Sequence, residues 1–228
     1  MRLEDLLEKT NLLKYQDTGT EEVYDPLTEL PPSLRPESQA EVLPEYLIND
    51  PLLVGYPDIE MQEDIYRWVA ESIPINGYTL KDFGCGRGDF YGWLQKDRPF
   101  VEPNYIGIDS KVSMVLSGEK KYPGIRIINS DFLENEDVTD YTVCIGTLND
   151  DHGFDKWEYF NRTLITALRT TKTAVIFILS RNFDGLDGFL DYPFEELFQN
   201  FPSTIPFKID YSKFEDIYKL TVYIDGYN

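Results

Sequence analysis

The chain has one histidine and two cysteines in 228 residues. So few soft ligands exclude a zinc knuckle, and Cys85 and Cys144 lack the paired spacing that metal sites and disulfide frameworks use. Both are expected as reduced, buried thiols. No apolar run approaches the roughly 20 residues that span a bilayer. The opening Met-Arg-Leu-Glu-Asp-Leu-Leu-Glu-Lys carries acids where a signal peptide carries bases. A soluble, cytoplasmic protein without membrane contact is the expectation. Bases are scarce as well: 21 Lys and Arg against 41 Asp and Glu give a net charge of −20. Nucleic-acid affinity depends on cations that neutralise phosphates, so stand-alone binding to DNA or RNA is disfavoured. Solubility is the simplest use of the acidity.

What is present is enough for a core, since 42% of residues are hydrophobic. Residues 1–57 read as an acidic, Pro-rich arm. Leu3, Leu6, Leu7 and Leu13 suit a short amphipathic helix. Pro26, Pro31, Pro32, Pro36, Pro44 and Pro51 then exclude a long one. Residues 1–60 hold 14 acids and 4 bases, half of the chain's net charge. Apolar residues such as Tyr24, Leu27, Leu43 and Tyr46 exceed what a linker needs. The arm is therefore expected to dock on the domain or on a partner subunit.

Residues 58–228 read as one α/β domain. Helices are expected at Ile59–Ser72, Phe90–Gln95, Lys111–Lys120, Lys156–Arg169 and Phe194–Phe201. Short apolar strands alternate with them at Thr79–Phe83, Tyr105–Asp109, Ile125–Asn129, Tyr141–Gly146 and Thr173–Leu179, as in a parallel sheet buried on both faces. Phe207–Tyr211 and Ile217–Asp225, separated by the turn Ser212 to Asp216, are too close for a crossover and suit an antiparallel hairpin. The sum is a seven-stranded, mostly parallel sheet closed by a C-terminal hairpin.

The chemistry concentrates after the first strand, in Asp82-Phe83-Gly84-Cys85-Gly86-Arg87-Gly88. A strand, a glycine turn and a helix start together receive the polar part of a nucleotide-like ligand. The spacing is not the G-x-G-x-x-G of dinucleotide sites, because the third glycine would fall on Asp89 or Tyr91. A pyrophosphate would also face Asp82 and Asp89. Asp109 ends the second strand 21 positions after Gly88, where a carboxylate can accept both hydroxyls of a ribose. Asp131 follows the third strand beside Phe132, an acceptor and an aromatic face suited to adenine. A single such acid is as readily a cap or turn residue; three successive strand ends in register point to a ligand edge.

These motifs resemble class I S-adenosylmethionine-dependent methyltransferases over about residues 59–228. Asp-Phe-Gly-Cys-Gly-Arg-Gly resembles the first motif of that family, Ile-Gly-Ile-Asp its second and Asn-Ser-Asp-Phe its third. Thr142–Asn149, in the fourth-strand place, is similar to a stretch of small bacterial and phage-type members, as are Val54-Gly55-Tyr56 and Gln62. The resemblance implies a Rossmann-like three-layer α/β/α sandwich and S-adenosylmethionine as cofactor. Asp82, Phe83, Gly84, Cys85, Gly86 and Gly88 would hold the methionine portion, Asp109 with Ser110 the ribose, and Asp131 with Phe132 the adenine. Gly146 and Thr147 complete the expected contacts. A phage origin would place the protein in the host cytoplasm or the virion.

Methyl transfer from a sulfonium is an in-line displacement that needs alignment more than a base, so the catalytic residue stays open. Asn149, Asp150, Asp151 and His152 are candidates. His152 alone has an ordinary pKa near neutrality, although a loop histidine beside acids is also simply solvated. Asp150, Asp151 and His152 as a divalent-cation site is the lesser alternative, since adjacent residues rarely face one ion; no metal is expected. Tyr56, Tyr91 and Trp93 are possible pocket aromatics. The fourth strand lacks the Asn/Asp-Pro-Pro-Tyr element of amino-directed DNA methyltransferases, and no Pro-Cys dipeptide of cytosine-C5 enzymes occurs. The acceptor is expected to be a small molecule or a partner protein. A binding or structural component on the same fold, with little or no transfer activity, is the competing reading.

Overall fold

The computed structural model describes residues 49–74, 77–97, 104–150, 153, 155–181, 189–202 and 205–224. Most of the acidic arm, with its expected helix, lies outside the described residues, and so do Asp151 and His152.

The described chain runs α1 (Ile59–Ala70), β1 (Thr79–Phe83), α2 (Asp89–Asp97), β2 (Asn104–Asp109), α3 (Val112–Lys121), β3 (Ile127–Asn129), β4 (Thr139–Ile145), α4 (Lys156–Thr170), β5 (Thr171–Ser180), α5 (Phe194–Asn200), β6 (Phe207–Asp210) and β7 (Ile217–Tyr223). The sheet order is β3-β2-β1-β4-β5-β7-β6. β1 to β5 pair in parallel, and β7 pairs antiparallel with both β5 and β6. Six strands therefore point one way and β7 alone opposes them, the mostly parallel sheet with a closing hairpin that the sequence implies.

Local chemistry sets the helix starts. Asp58 accepts the Met61 N–H at 2.8 Å and opens α1, while Asp155 accepts the N–H groups of Trp157 and Glu158 at 3.1 and 2.9 Å and opens α4. Such caps contribute about 1 kcal/mol each. The α4 side chains Phe160, Leu164 and Leu168 recur on one face and bury against Val175, Phe177 and Leu179 of β5. The alternate β5 residues Ile176 and Ile178 pack on the other side, with Trp68 and Val69 of α1 and Phe90 and Leu94 of α2. One sheet thus separates two cores, and the layers are three. Among the described residues no helix is long and apolar enough to cross a membrane.

Several boundaries differ from the sequence reading. β3 begins at Ile127, because Ile125 is spent on a turn, its N–H bonded to the Tyr122 carbonyl at 3.0 Å and its side chain packed over Gly88. β4 begins two residues early, where Thr139 pairs with Thr171. The turn between β6 and β7 is not wholly polar. Phe214 leaves it to pack on Trp68 at 5.5 Å.

Candidate functional site

Parallel strands deliver their ends to one edge of the sheet, and there a cavity of about 760 Å³ opens. Its floor is the glycine turn. The N–H groups of Gly84 and Cys85 both donate to the Ile108 carbonyl, at 2.8 and 3.1 Å, which bends the chain away from β1. Gly84 has φ +65°, and a Cβ there would stand 1.9 Å from Thr147 Oγ1. The Thr147 hydroxyl lies 3.1 Å from the Gly84 carbonyl and 3.2 Å from that of Phe83, pinning the end of β4 to the end of β1.

The three strand-end acids reach the same cavity by different local geometries. Asp82 is buried in β1 and accepts the Tyr105 hydroxyl at 2.7 Å. Burial pushes its carboxyl up to about 7, against the lowering by that hydrogen bond. Asp109 accepts one backbone N–H on each oxygen, from Gly86 at 2.9 Å and Lys111 at 2.8 Å. Burial raises its pKa, while those two amides hold it down. Each carboxylate oxygen has two lone pairs, so both can still accept from a ligand. Asp131 accepts the Leu133 N–H at 2.9 Å and caps the 3-10 turn Phe132–Glu134. It is a cap and a wall residue at once.

Of the other expected contacts, Cys85, Gly86, Ser110, Phe132, Gly146 and Thr147 line the cavity. Phe83 and Gly88 do not. Phe83 faces the other core and stacks on Phe132 at 4.7 Å, supporting the wall from behind. Gly88 has φ +75°, and its missing Cβ makes room for Ile125, which would lie 2.3 Å away. Tyr56 is on the wall, whereas Tyr91 and Trp93 are packing residues, against Tyr105 at 5.1 Å and Phe90 at 6.3 Å.

Among the catalytic candidates, Asn149 and Asp150 border the cavity. Asn149 is buried and acts as a tie: its amide donates to the Leu190 carbonyl at 2.9 Å, and its own carbonyl accepts the Leu190 N–H at 2.7 Å. Asp150 lies 4.0 Å from Lys111 on the surface. The cation-site alternative needs Asp151 and His152, outside the described residues.

Beside the turn, Asp89 opens α2 as a buried carboxylate on the cavity wall. Arg87 donates to it at 2.7 Å and Lys121 at 2.7 Å. The fully buried Arg87 also donates to the Asp50 carbonyl at 3.0 Å, tying the segment before α1 to the glycine turn. Arg87→Leu should cost about 3 kcal/mol, because it leaves a buried acid short of a partner. Urea denaturation checks this, and a loss under about 1 kcal/mol would mean that Lys121 and the Tyr122 hydroxyl suffice.

Several wall residues carried no sequence signal. Ser180 ends β5 at this edge, Phe189 is bridged to Asp150 after β4, and the hairpin turn Phe214 to Ile217 reaches the cavity because β7 returns beside β5. Met61, Ile65 and Tyr66 come from the inner face of α1. Gln62 donates to the Tyr66 hydroxyl at 3.0 Å, and burial holds that phenol well above its ordinary pKa. Among the described residues the wall carries seven acids, Asp82, Asp89, Asp109, Asp131, Asp150, Glu215 and Asp216, and one base, Lys111.

No protein-family model matches the chain, and no curated protein matches it by sequence. Solved structures do. Magnesium protoporphyrin IX methyltransferase (ChlM) from Synechocystis PCC 6803 with bound SAM is 12% identical with a TM-score of 0.56, over 90% of this chain and 99% of that one. PH0226 protein from Pyrococcus horikoshii OT3 is 16% identical with a TM-score of 0.58, over 79% and 98%. An S-adenosylmethionine-dependent methyltransferase from Clostridium acetobutylicum ATCC 824 is 16% identical with a TM-score of 0.53, over the same shares. None of these bears on the resemblance to phage-type members. At such identities the likeness concerns architecture alone: the chain has the fold of the class I S-adenosylmethionine-dependent methyltransferases.

Proposed function

We propose that the protein is an S-adenosylmethionine-dependent methyltransferase acting on a small molecule or a partner protein. One observation carries the reading: the glycine turn and the acids ending β1, β2 and β3 all border a single cavity at the carboxyl edge of the sheet. The donor set fits the ligand. Seven wall acids against one base suit a sulfonium and an ammonium and repel a pyrophosphate. Gly84 and Gly86 leave the floor without side chains, so a ligand can approach the backbone.

The cofactor would supply a methyl group already activated as an electrophile. The residues then have to position and exclude. Asp109 would receive the ribose hydroxyls, Asp131 and Phe132 the adenine, and Asp82 with the glycine turn the amino acid end. Buried Tyr56 and Tyr66 shield the floor; burial and neighbouring acids raise both phenols, which stay protonated hydrogen-bonding groups. Thr147 and Asn149 hold the loop after β4 against β1 and residue 190.

Isothermal titration with S-adenosylhomocysteine tests the proposal. Wild-type protein should bind it, and Asp109→Ala should weaken binding by roughly one to two orders of magnitude, the worth of charge-assisted hydrogen bonds. Unchanged affinity in that variant would remove the ribose assignment. Binding without turnover on any acceptor would favour the competing reading of a binding component.

A further inference from the structure

We infer that the acceptor is an organic cation with an apolar body, bound in the part of the cavity beneath β5 and β7; this rests on the methyltransferase reading above. The acids that would hold the cofactor lie in β1 (Asp82), at the end of β2 (Asp109) and just after β3 (Asp131), with Gly146 and Thr147 following β4. The same cavity continues to Ile178 and Ser180 on β5 and Ile217 at the start of β7. Two more strands at the usual spacing add roughly 10 Å of room. A ligand held at the β3–β1 end leaves that length free.

The apolar wall on this side includes Ile145, Ile178, Phe214 and Ile217, with Met61 and Ile65 of α1 in the same hydrophobic cluster; this part of the cavity is the second chamber. Wall residue Phe189, bridged to Asp150 after β4, stands 39% exposed, apolar surface that a ligand body can cover. The charged side chains on the chamber wall are, among the described residues, the exposed Glu215 and Asp216. Nearby bases are turned elsewhere. Arg181 lies over the Phe194 ring at 5.7 Å, Lys213 is 3.4 Å from Glu71, and Lys111 pairs with Asp150 across the β2 end. Among the described residues, a carboxylate or phosphate entering here meets acids and no cation, whereas an ammonium group meets two carboxylates at the rim while its apolar part fills the chamber. That arrangement selects by charge as much as by shape.

The test uses full-length protein saturated with S-adenosylhomocysteine and two probes of matched shape, 2-phenylethylammonium and 3-phenylpropanoate, followed by titration calorimetry. The ammonium should bind about tenfold tighter or more, two rim carboxylates each contributing a few-fold. The double variant Glu215→Lys, Asp216→Lys should erase or invert the preference, and its thermal midpoint should match wild type because both side chains are exposed. Equal or tighter binding of the carboxylate, binding of neither probe, or an unaltered preference in the variant overturns the inference and leaves the cofactor reading intact. Failure of wild-type protein to bind S-adenosylhomocysteine overturns both.

Discussion

Asp82→Asn should make the protein more stable at pH 8, by up to about 4 kcal/mol, and a poorer binder of the proposed cofactor. The argument starts from burial. Among the described residues the Asp82 carboxyl in β1 has the Tyr105 hydroxyl as its side-chain partner, and its pKa is pushed from 3.8 to about 7. Between those values the unfolded chain has released this proton and the folded chain has kept it. Rising pH therefore favours the unfolded state through that window, and above about 7 the full cost is in place. Asparagine keeps an acceptor for Tyr105 and removes the charge. Urea denaturation at pH 5 and pH 8 should show wild type losing stability as pH rises, with a flatter dependence in the variant. Equal slopes would sink the assignment.

Ligand binding should run the other way. A cationic group brought beside Asp82 favours its ionised form, so wild-type affinity for S-adenosylhomocysteine should climb as pH rises towards 7 and then level off. Proton release on binding, read from calorimetry in buffers of different ionisation enthalpy, checks the coupling. The variant should bind about tenfold or more weakly at pH 8, with little pH dependence. A group that destabilises the fold and strengthens a ligand is a common trade at binding sites.

Gly84→Ala is expected to cost more than about 4 kcal/mol and to abolish ligand binding. Two effects combine at this residue. Its φ of +65° is a conformation that side chains rarely adopt, and the new methyl group would lie 1.9 Å from Thr147 Oγ1 and 2.6 Å from Thr147 Cβ. Neither atom can retreat freely, because Thr147 is bonded to the carbonyls of Phe83 and Gly84. Adding Thr147→Gly should restore about 1–2 kcal/mol by removing the clash and leaving the backbone strain. If the double variant is no more stable than Gly84→Ala alone, the contact with Thr147 is not what forbids a side chain there.

Much of this site was readable beforehand because parallel strands end at a common edge. With Thr79–Phe83, Asn104–Asp109 and Ile127–Asn129 as parallel strands in the order β3-β2-β1, Asp82, Asp109 and Asp131 come out at one edge. Orientation was harder. In strands buried on both faces no polar alternation shows which way a residue points, so Phe83 could not be told from a wall residue. The bond from Tyr105 to Asp82 crosses between β2 and β1 and depends on register. Thr170 and Thr171 join α4 to β5 with no glycine or proline between them, so without a breaker the sequence leaves a gap between Arg169 and Thr173 that the structure closes. The second chamber was hidden altogether, since its far wall comes from a hairpin turn more than 100 residues from the glycine turn.

That distance also sets an order of construction. The wall between Asp82 and Asp150 is complete in sequence long before Phe214 to Ile217 emerge from the ribosome, so during synthesis the half of the cavity at the glycine turn takes shape first and the hairpin half last. Until residues 217–223 arrive, the β5 edge has no strand beside it, with Val175 to Leu179 bare on that side. A growing chain is thus most exposed to sticking to its neighbours just before its last hairpin closes.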